Sequence, residues 1–198
     1  MKRIKYFLFP SLALIVGLVV GIRVFFPWED VTELVFLKAT SSLPAGVTAE
    51  AKDFSVDGFI PAPTVRALDI NVLMGSIRIT SLKITPMLTN SIKNFAPTVF
   101  VDIDRATMDM GGSLASFTGG MVVCLRPKAV SVSDVDIKGD LMAQGNMDFS
   151  LTTSKISQAD MVLKTPEEMS GALSALSAML PLKRESDGLW KLKRQEER

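Results

Sequence analysis

The chain has 198 residues, with 22 Lys and Arg against 21 Asp and Glu, and a formal net charge of +1. That balance gives no electrostatic case for nucleic acid as a partner. The absence of histidine removes Ser-His-Asp and Cys-His nucleophiles, HExxH zinc sites and histidine acid–base chemistry, and a single cysteine, Cys124, removes any internal disulfide.

The first element is residues 6–26, YFLFPSLALIVGLVVGIRVFF, whose one charge is Arg23 near the far end. As a helix it spans about 31 Å at ~1.5 Å per residue, close to the ~30 Å hydrocarbon core of a bilayer. Lys2, Arg3 and Lys5 precede it, and Pro27, Trp28, Glu29 and Asp30 follow. Basic residues ahead of an apolar span keep residues 1–5 in the cytoplasm and place everything after Trp28 outside. Trp28 suits the membrane interface, and Arg23 can snorkel along its own stem. A cleaved signal peptide shares the basic and apolar regions. Here the bulky Phe25, Phe26, Pro27 and Trp28 stand where a peptidase needs small residues, so an uncleaved anchor is expected.

Residues 27–46 form a juxtamembrane helix and linker. Val31, Leu34, Val35, Leu37 and Leu43 recur at roughly helical spacing, Glu29, Asp30 and Glu33 load the first turns, and Pro44 and Gly46 end the helix. From residue 47 the period becomes two. Phe54 and Val56, then Leu68, Ile70 and Val72, then Ile77 and Ile79 alternate with polar residues. Residues 59–64, FIPAPT, carry two prolines and are not expected in a central strand. After Thr80 the register slips by one before Leu82 and Ile84, which reads as a bulge. Residues 87–95 are a helical turn or a loop. Val99, Val101 and Ile103 alternate, Gly111-Gly112 and Gly119-Gly120 bracket a short piece, and residues 121–125 form a brief strand. Val130 and Val132, then Val135 and Ile137 after a second slip, then Met147, Phe149 and Leu151, then Met161 and Leu163 continue the pattern.

Residues 166–180, PEEMSGALSALSAML, are the remaining helix candidate. Thr165 can cap it, Pro166 can open it, and Met169, Leu173, Leu176 and Leu180 form its apolar stripe, placed to cover the sheet. Asp187-Gly188 makes a turn into a last strand, residues 189–192. The expected fold is therefore mainly β. A single N-terminal transmembrane helix (6–26) is followed by a curved antiparallel β-sheet domain (47–198) with one or two short helices. One sheet face is aliphatic and must be buried against something. Val99, Val101, Ile103, Met147, Phe149 and Leu151 mark it as a closed core or an apolar groove.

The chemical signals are few. Asp102, Asp104, Asp109, Asp134 and Asp136 lack a DxDxDG loop and read as a solvated sheet face. The glycine pairs lack a following GK[ST], and Cys124 lies in an apolar strand with no histidine to activate it. No catalytic, cofactor or metal residue is assigned.

The basic start, the membrane helix ending in FFPW (25–28), the strand units LDINVLMGSIRITSLKITP (68–86) and VDIKGDLMAQGNMDFSL (135–151), and an apolar helix followed by DGLWKL (187–192) resemble the type II secretion system protein N family. A looser similarity reaches AsmA-like envelope proteins built as curved β-sheet grooves. The resemblance covers most of the chain as a pattern. It implies a non-enzymatic inner-membrane accessory of the secretion machinery of a Gram-negative bacterium, with a periplasmic β-domain that contacts other components. The expected partners are other secretion-system proteins and membrane lipid. The alternative is a lipid-binding or lipid-transfer groove of the AsmA-like kind, with a lipid ligand.

Overall fold

Alternating aliphatic and polar residues make strands, and eleven of them join in one antiparallel sheet in the computed structural model. The structure describes residues 14, 16–18, 20–41, 43, 46–72, 75–153, 155–177 and 182–194. The strands are β1 (Thr48–Glu50), β2 (Asp53–Asp57), β3 (Ala62–Val72), β4 (Gly75–Pro86), β5 (Thr98–Met110), β6 (Ser113–Arg126), β7 (Ala129–Gly139), β8 (Met142–Ser150), β9 (Lys155–Lys164), β10 (Leu182–Ser186) and β11 (Leu189–Arg194). From β3 to β9 each strand pairs with the next in sequence. β11 then pairs with β9, and β10 lies outside it at the edge. At the opposite edge β1 and β2 pair with successive parts of β3. Besides the helical residues described before Phe26, three helices are bounded among the described residues: α1 (Trp28–Thr40), α2 (Leu88–Asn94) and α3 (Ser170–Ser177), the last entered through a single 3-10 turn, Glu167–Met169.

Register shifts fall at Ile79/Ser81, Ile103/Ala106, Gly120/Val122, Val132/Val135 and Asp148/Phe149. These sites neighbour one another across the pairs Ile79↔Ala106, Ile103↔Gly119, Gly120↔Asp136 and Val132↔Met147, so they form a row across the sheet. A bulge bends and twists its strand, and a row of bulges curves the whole sheet. The curvature shows in a 230 Å³ cavity lined both by Val72, Ile77 and Met108 of β3–β5 and by Leu163 of β9. In a flat sheet β3 and β9 would stand about 29 Å apart, six spacings of ~4.8 Å. The bulges keep one face aliphatic throughout, and its centre is Val65, Leu68, Ile79, Ile103, Ala106, Val135, Ile137 and Ala143.

The slips expected after Thr80 and Val132 are both bulges. Elsewhere the structure departs from the sequence reading. Gly119 and Gly120 do not end a strand but lie inside β6, which runs unbroken for 14 residues. Gly119 has φ +144°, and a Cβ there would run into the carbonyl oxygen of Asp136 on β7, so glycine serves the bend and not a turn. β3 begins at Ala62, inside the proline-rich stretch. Pro63 is tolerated because it pairs only with Val56 of β2, before β4 joins at Thr64↔Lys83. Of the two readings of residues 87–95 the helical one holds, as α2, closed by Phe95 in the left-handed region at φ 49°. α1 stops at Thr40, and Leu34, Val35 and Leu37 of its expected stripe are 57–66% exposed. Phe36 turns to the sheet instead, 5.3 Å from the ring of Phe54.

Residues 14, 16–18 and 20–25 are helical, and among the described residues no helix is long and apolar enough to cross a membrane. Much of the span expected over 6–26 lies outside the described residues.

Candidate functional site

The aliphatic face gathers most of the residues expected on it. Ile103 is buried, and Val99, Val101, Met147 and Phe149 are half-buried. Their partners across the sheet share their face: Val101↔Met121, Ile103↔Leu82, Met147↔Val132 and Phe149↔Val130. Leu151 does not belong with them. It lies past the end of β8 in a turn, is 50% exposed, and its amide donates to the Lys128 carbonyl at 2.9 Å. Much of the face is packed core. Ile103 sits in the central cluster, while Met147 packs on a second one of Ala159, Leu173, Leu182, Trp190 and Leu192.

Each end of the curved face keeps an apolar cavity. One, of 410 Å³, lies where α1 crosses β2–β4, between Val31, Phe36, Val56, Pro63, Val65 and Ile84. The other is the 230 Å³ cavity, roofed by Met169 and Leu173. Met169 and Leu173 are the first two of the four stripe residues expected from sequence. Met169 is 1% exposed and Leu173 9%. The helix is shorter than residues 166–180: Pro166 precedes the 3-10 turn with ψ 148°, and α3 begins at Ser170. The Leu176 side chain and the whole of Leu180 lie outside the described residues.

At the N-terminal side, Lys2, Arg3 and Lys5 also lie outside the described residues. Arg23 turns to the sheet: its Nε donates to the Gly58 carbonyl at 2.7 Å and its Nη2 to the Val56 carbonyl at 3.1 Å. Trp28 is half-buried, with its ring 4.6 Å from that of Phe26. The chain is thus tied to the open side of β2 just where the N-terminal helical residues end. Those residues expose Leu14, Val16, Leu18, Val24 and Phe25 by 53–86%.

Charge is confined to the outer surface. The Lys138 ammonium, at 2.6 Å, and then the Gln144 amide hold the Asp136 carboxyl below the ordinary aspartate value. A hydrogen bond to Asp69 raises the Arg78 guanidinium. Among the described residues no three His, Cys, Asp or Glu side chains converge as metal ligands would. Cys124 is buried and pairs across the sheet with Thr98, which is also buried. Among the described residues the site is an apolar surface with a cavity at each end.

Residues 5–194 match the family described as type II secretion system protein GspN-like, Synergistales. The chain belongs to that family. No curated protein and no solved structure gives a match. Membership in the GspN-like family connects the chain with the type II secretion machinery, an envelope location and other secretion components as partners. The family is an accessory component and is not known as an enzyme.

Two features of this GspN-like sheet escape sequence reading. β10, LKRES, carries no aliphatic alternation, yet it forms an edge with Arg184 6.0 Å over the Trp190 ring. A second set, Phe59, Ile60, Ile92, Phe95, Leu125 and Leu151, is exposed at strand ends and in the connections between strands. No periodic signal marks it, because each connection adds only one or two residues.

Proposed function

We propose that the chain is a single-pass inner-membrane protein whose periplasmic β-domain serves type II secretion as a non-enzymatic contact module. The family match over residues 5–194 carries this reading. Supporting the anchor are the basic start, the length of the apolar segment 6–26, and the exposed apolar helical residues that run up to Arg23. The contact surface proposed is the outward side of α1, where Leu34 and Leu37 are 66% and 57% exposed. The free edge β10 is a weaker strip, because it is five residues long and exposes Lys183, Arg184 and Glu185.

A reporter fused after Thr48 tests the topology: activity only in the periplasm is expected, and cytoplasmic activity overturns it. Deletion of the gene tests the role. Export of folded periplasmic proteins should fall, and secretion proteins should co-purify with the tagged full-length chain. Normal export with no secretion protein recovered overturns the reading.

The second reading, a lipid groove, draws support from the 410 Å³ apolar cavity beneath α1. Native mass spectrometry of the full-length protein should then show a bound lipid that Val65→Trp, which fills the cavity, displaces.

A further inference from the structure

Antiparallel order sends every second connection to the same end of a sheet, and here that end is the one Arg23 reaches. The pairs Asp57↔Ala62, Pro86↔Val99, Arg126↔Ala129 and Ser150↔Lys155 all lie there. The connections touch one another in series: the Leu125 amide donates to the Pro97 carbonyl at 2.8 Å, and the Leu151 amide to the Lys128 carbonyl at 2.9 Å. This rim carries Phe59, Ile60, Ile92, Phe95, Leu125 and Leu151, exposed by 69, 46, 74, 97, 47 and 50%. Phe95 is held out on a left-handed residue at φ 49°, a conformation disfavoured for an aromatic residue. Leu88 and Ile92 of α2 border an outward-opening 600 Å³ cleft beside it.

Charge divides the molecule along the same axis. In connections 86–98, 125–129 and 150–155 the charged residues are Lys93, Arg126, Lys128 and Lys155, all basic and all exposed. None of the four forms an ion pair with another described residue. Acids at this end, Glu29, Asp30 and Asp57, stand on the α1 side. At the opposite end Asp109, Asp140, Glu167, Glu168, Glu185 and Asp187 outnumber Lys138, Lys164 and Arg184.

We infer that this rim is a second membrane contact, in which the apolar connection tips enter the interface of the bilayer and Lys93, Arg126, Lys128 and Lys155 meet anionic phospholipid headgroups. Two observations choose lipid as the occupant. The rim is continuous, through the Arg23 bonds to Val56 and Gly58, with the N-terminal apolar helical residues. Away from α1, the free charge of its connections is of one sign, as an anionic surface requires. The inference rests on the proposed anchoring, and it adds that the β-domain lies against the membrane instead of hanging from it.

The test uses the full-length protein in a Cys124→Ala background, reconstituted in phosphatidylethanolamine–phosphatidylglycerol vesicles. An environment-sensitive fluorophore is placed through Phe95→Cys, Leu114→Cys or Leu18→Cys. Leu114 is 72% exposed in the β5–β6 hairpin at the opposite end. The expected result is blue-shifted emission, quenched by nitroxide-bearing lipids, at 18 and 95, with aqueous, unquenched emission at 114. Quenching at 95 should fall when Lys93, Arg126, Lys128 and Lys155 are changed to Gln, while that at 18 stays. Quenching at 18 with an aqueous probe at 95 overturns the inference and leaves the anchor standing. No quenching at either site overturns both. A blue shift at 95 without lipid quenching means that protein covers the rim, and it too overturns the inference.

Discussion

Asp140 holds the β6–β7 region through Ser116, accepting from its amide at 2.9 Å and its hydroxyl at 2.7 Å. The hydroxyl bond first, and then the amide, set the carboxyl below the ordinary aspartate value. Folding therefore favours the ionised form. The stability this adds is fully present above the unfolded pKa and is lost as pH falls through the folded one. Asp140→Asn should flatten the acid limb of a plot of Tm against pH, leaving melting near neutrality less changed; an unaltered acid limb would show that the bond does not matter. Sterics act at the same scale at Gly145, where φ is +132° and a Cβ would meet the Asp160 carbonyl oxygen. Gly145→Ala should destabilise by roughly 1–3 kcal/mol, measured by denaturant unfolding of the detergent-solubilised chain. Gly111→Ala is a useful contrast, because its φ of +65° is strained but nothing lies within 4 Å. Its loss should be the smaller.

At the scale of elements, a short helix closes one end of the curved sheet. Met169 is almost wholly buried and Leu173 nearly so; both roof the cavity that β3–β5 and β9 line, and Leu173 packs in the cluster of Ala159, Leu182, Trp190 and Leu192. Met169→Ala should cost about 2–5 kcal/mol. Leu173→Asp should unfold the domain, since an unpaired buried carboxylate costs several kcal/mol, whereas Ser174→Asp on the exposed side should be nearly silent. Equal melting temperatures for the two aspartate variants would mean that α3 does not cover the sheet. This cover was legible in sequence because Met169 and Leu173 keep helical spacing. The bulges after Thr80 and Val132 were legible because each shifts an aliphatic alternation by one. Gly119-Gly120 was not, since a glycine that lets two strands approach and a glycine that turns the chain look alike in sequence. β10 was hidden because an edge strand needs no aliphatic face and is protected by charge, as Lys183, Arg184 and Glu185 do here.

At the scale of the molecule, what matters is which residues the topology brings to one end. Phe59, Phe95, Leu125 and Leu151 are far apart in sequence and share an end only because the strands between them alternate in direction. The candidate site was thus half legible: its aliphatic face follows from periodicity, its rim only from strand order. Arg23 joins this rim to the N-terminal segment by two hydrogen bonds to backbone carbonyls. Bonds from a charged donor are worth about 1.5–3 kcal/mol when well formed and less where solvent competes. Arg23 is only half-buried, and Val56 and Gly58 lie at the end of an edge strand, so the core does not depend on the tie. What does depend on it is the angle between the N-terminal segment and the sheet, because Pro27 follows with no side-chain cap on α1 to fix the direction. Arg23→Leu should therefore shift the melting temperature of the full-length protein by a few degrees at most, equivalent to about 1 kcal/mol. It should weaken lipid quenching of a probe at residue 95 well below that of the parent, with quenching at residue 18 unchanged. A large fall in melting temperature, with quenching at 95 intact, would instead make Arg23 a residue of the fold and leave the orientation of the sheet to the rim alone.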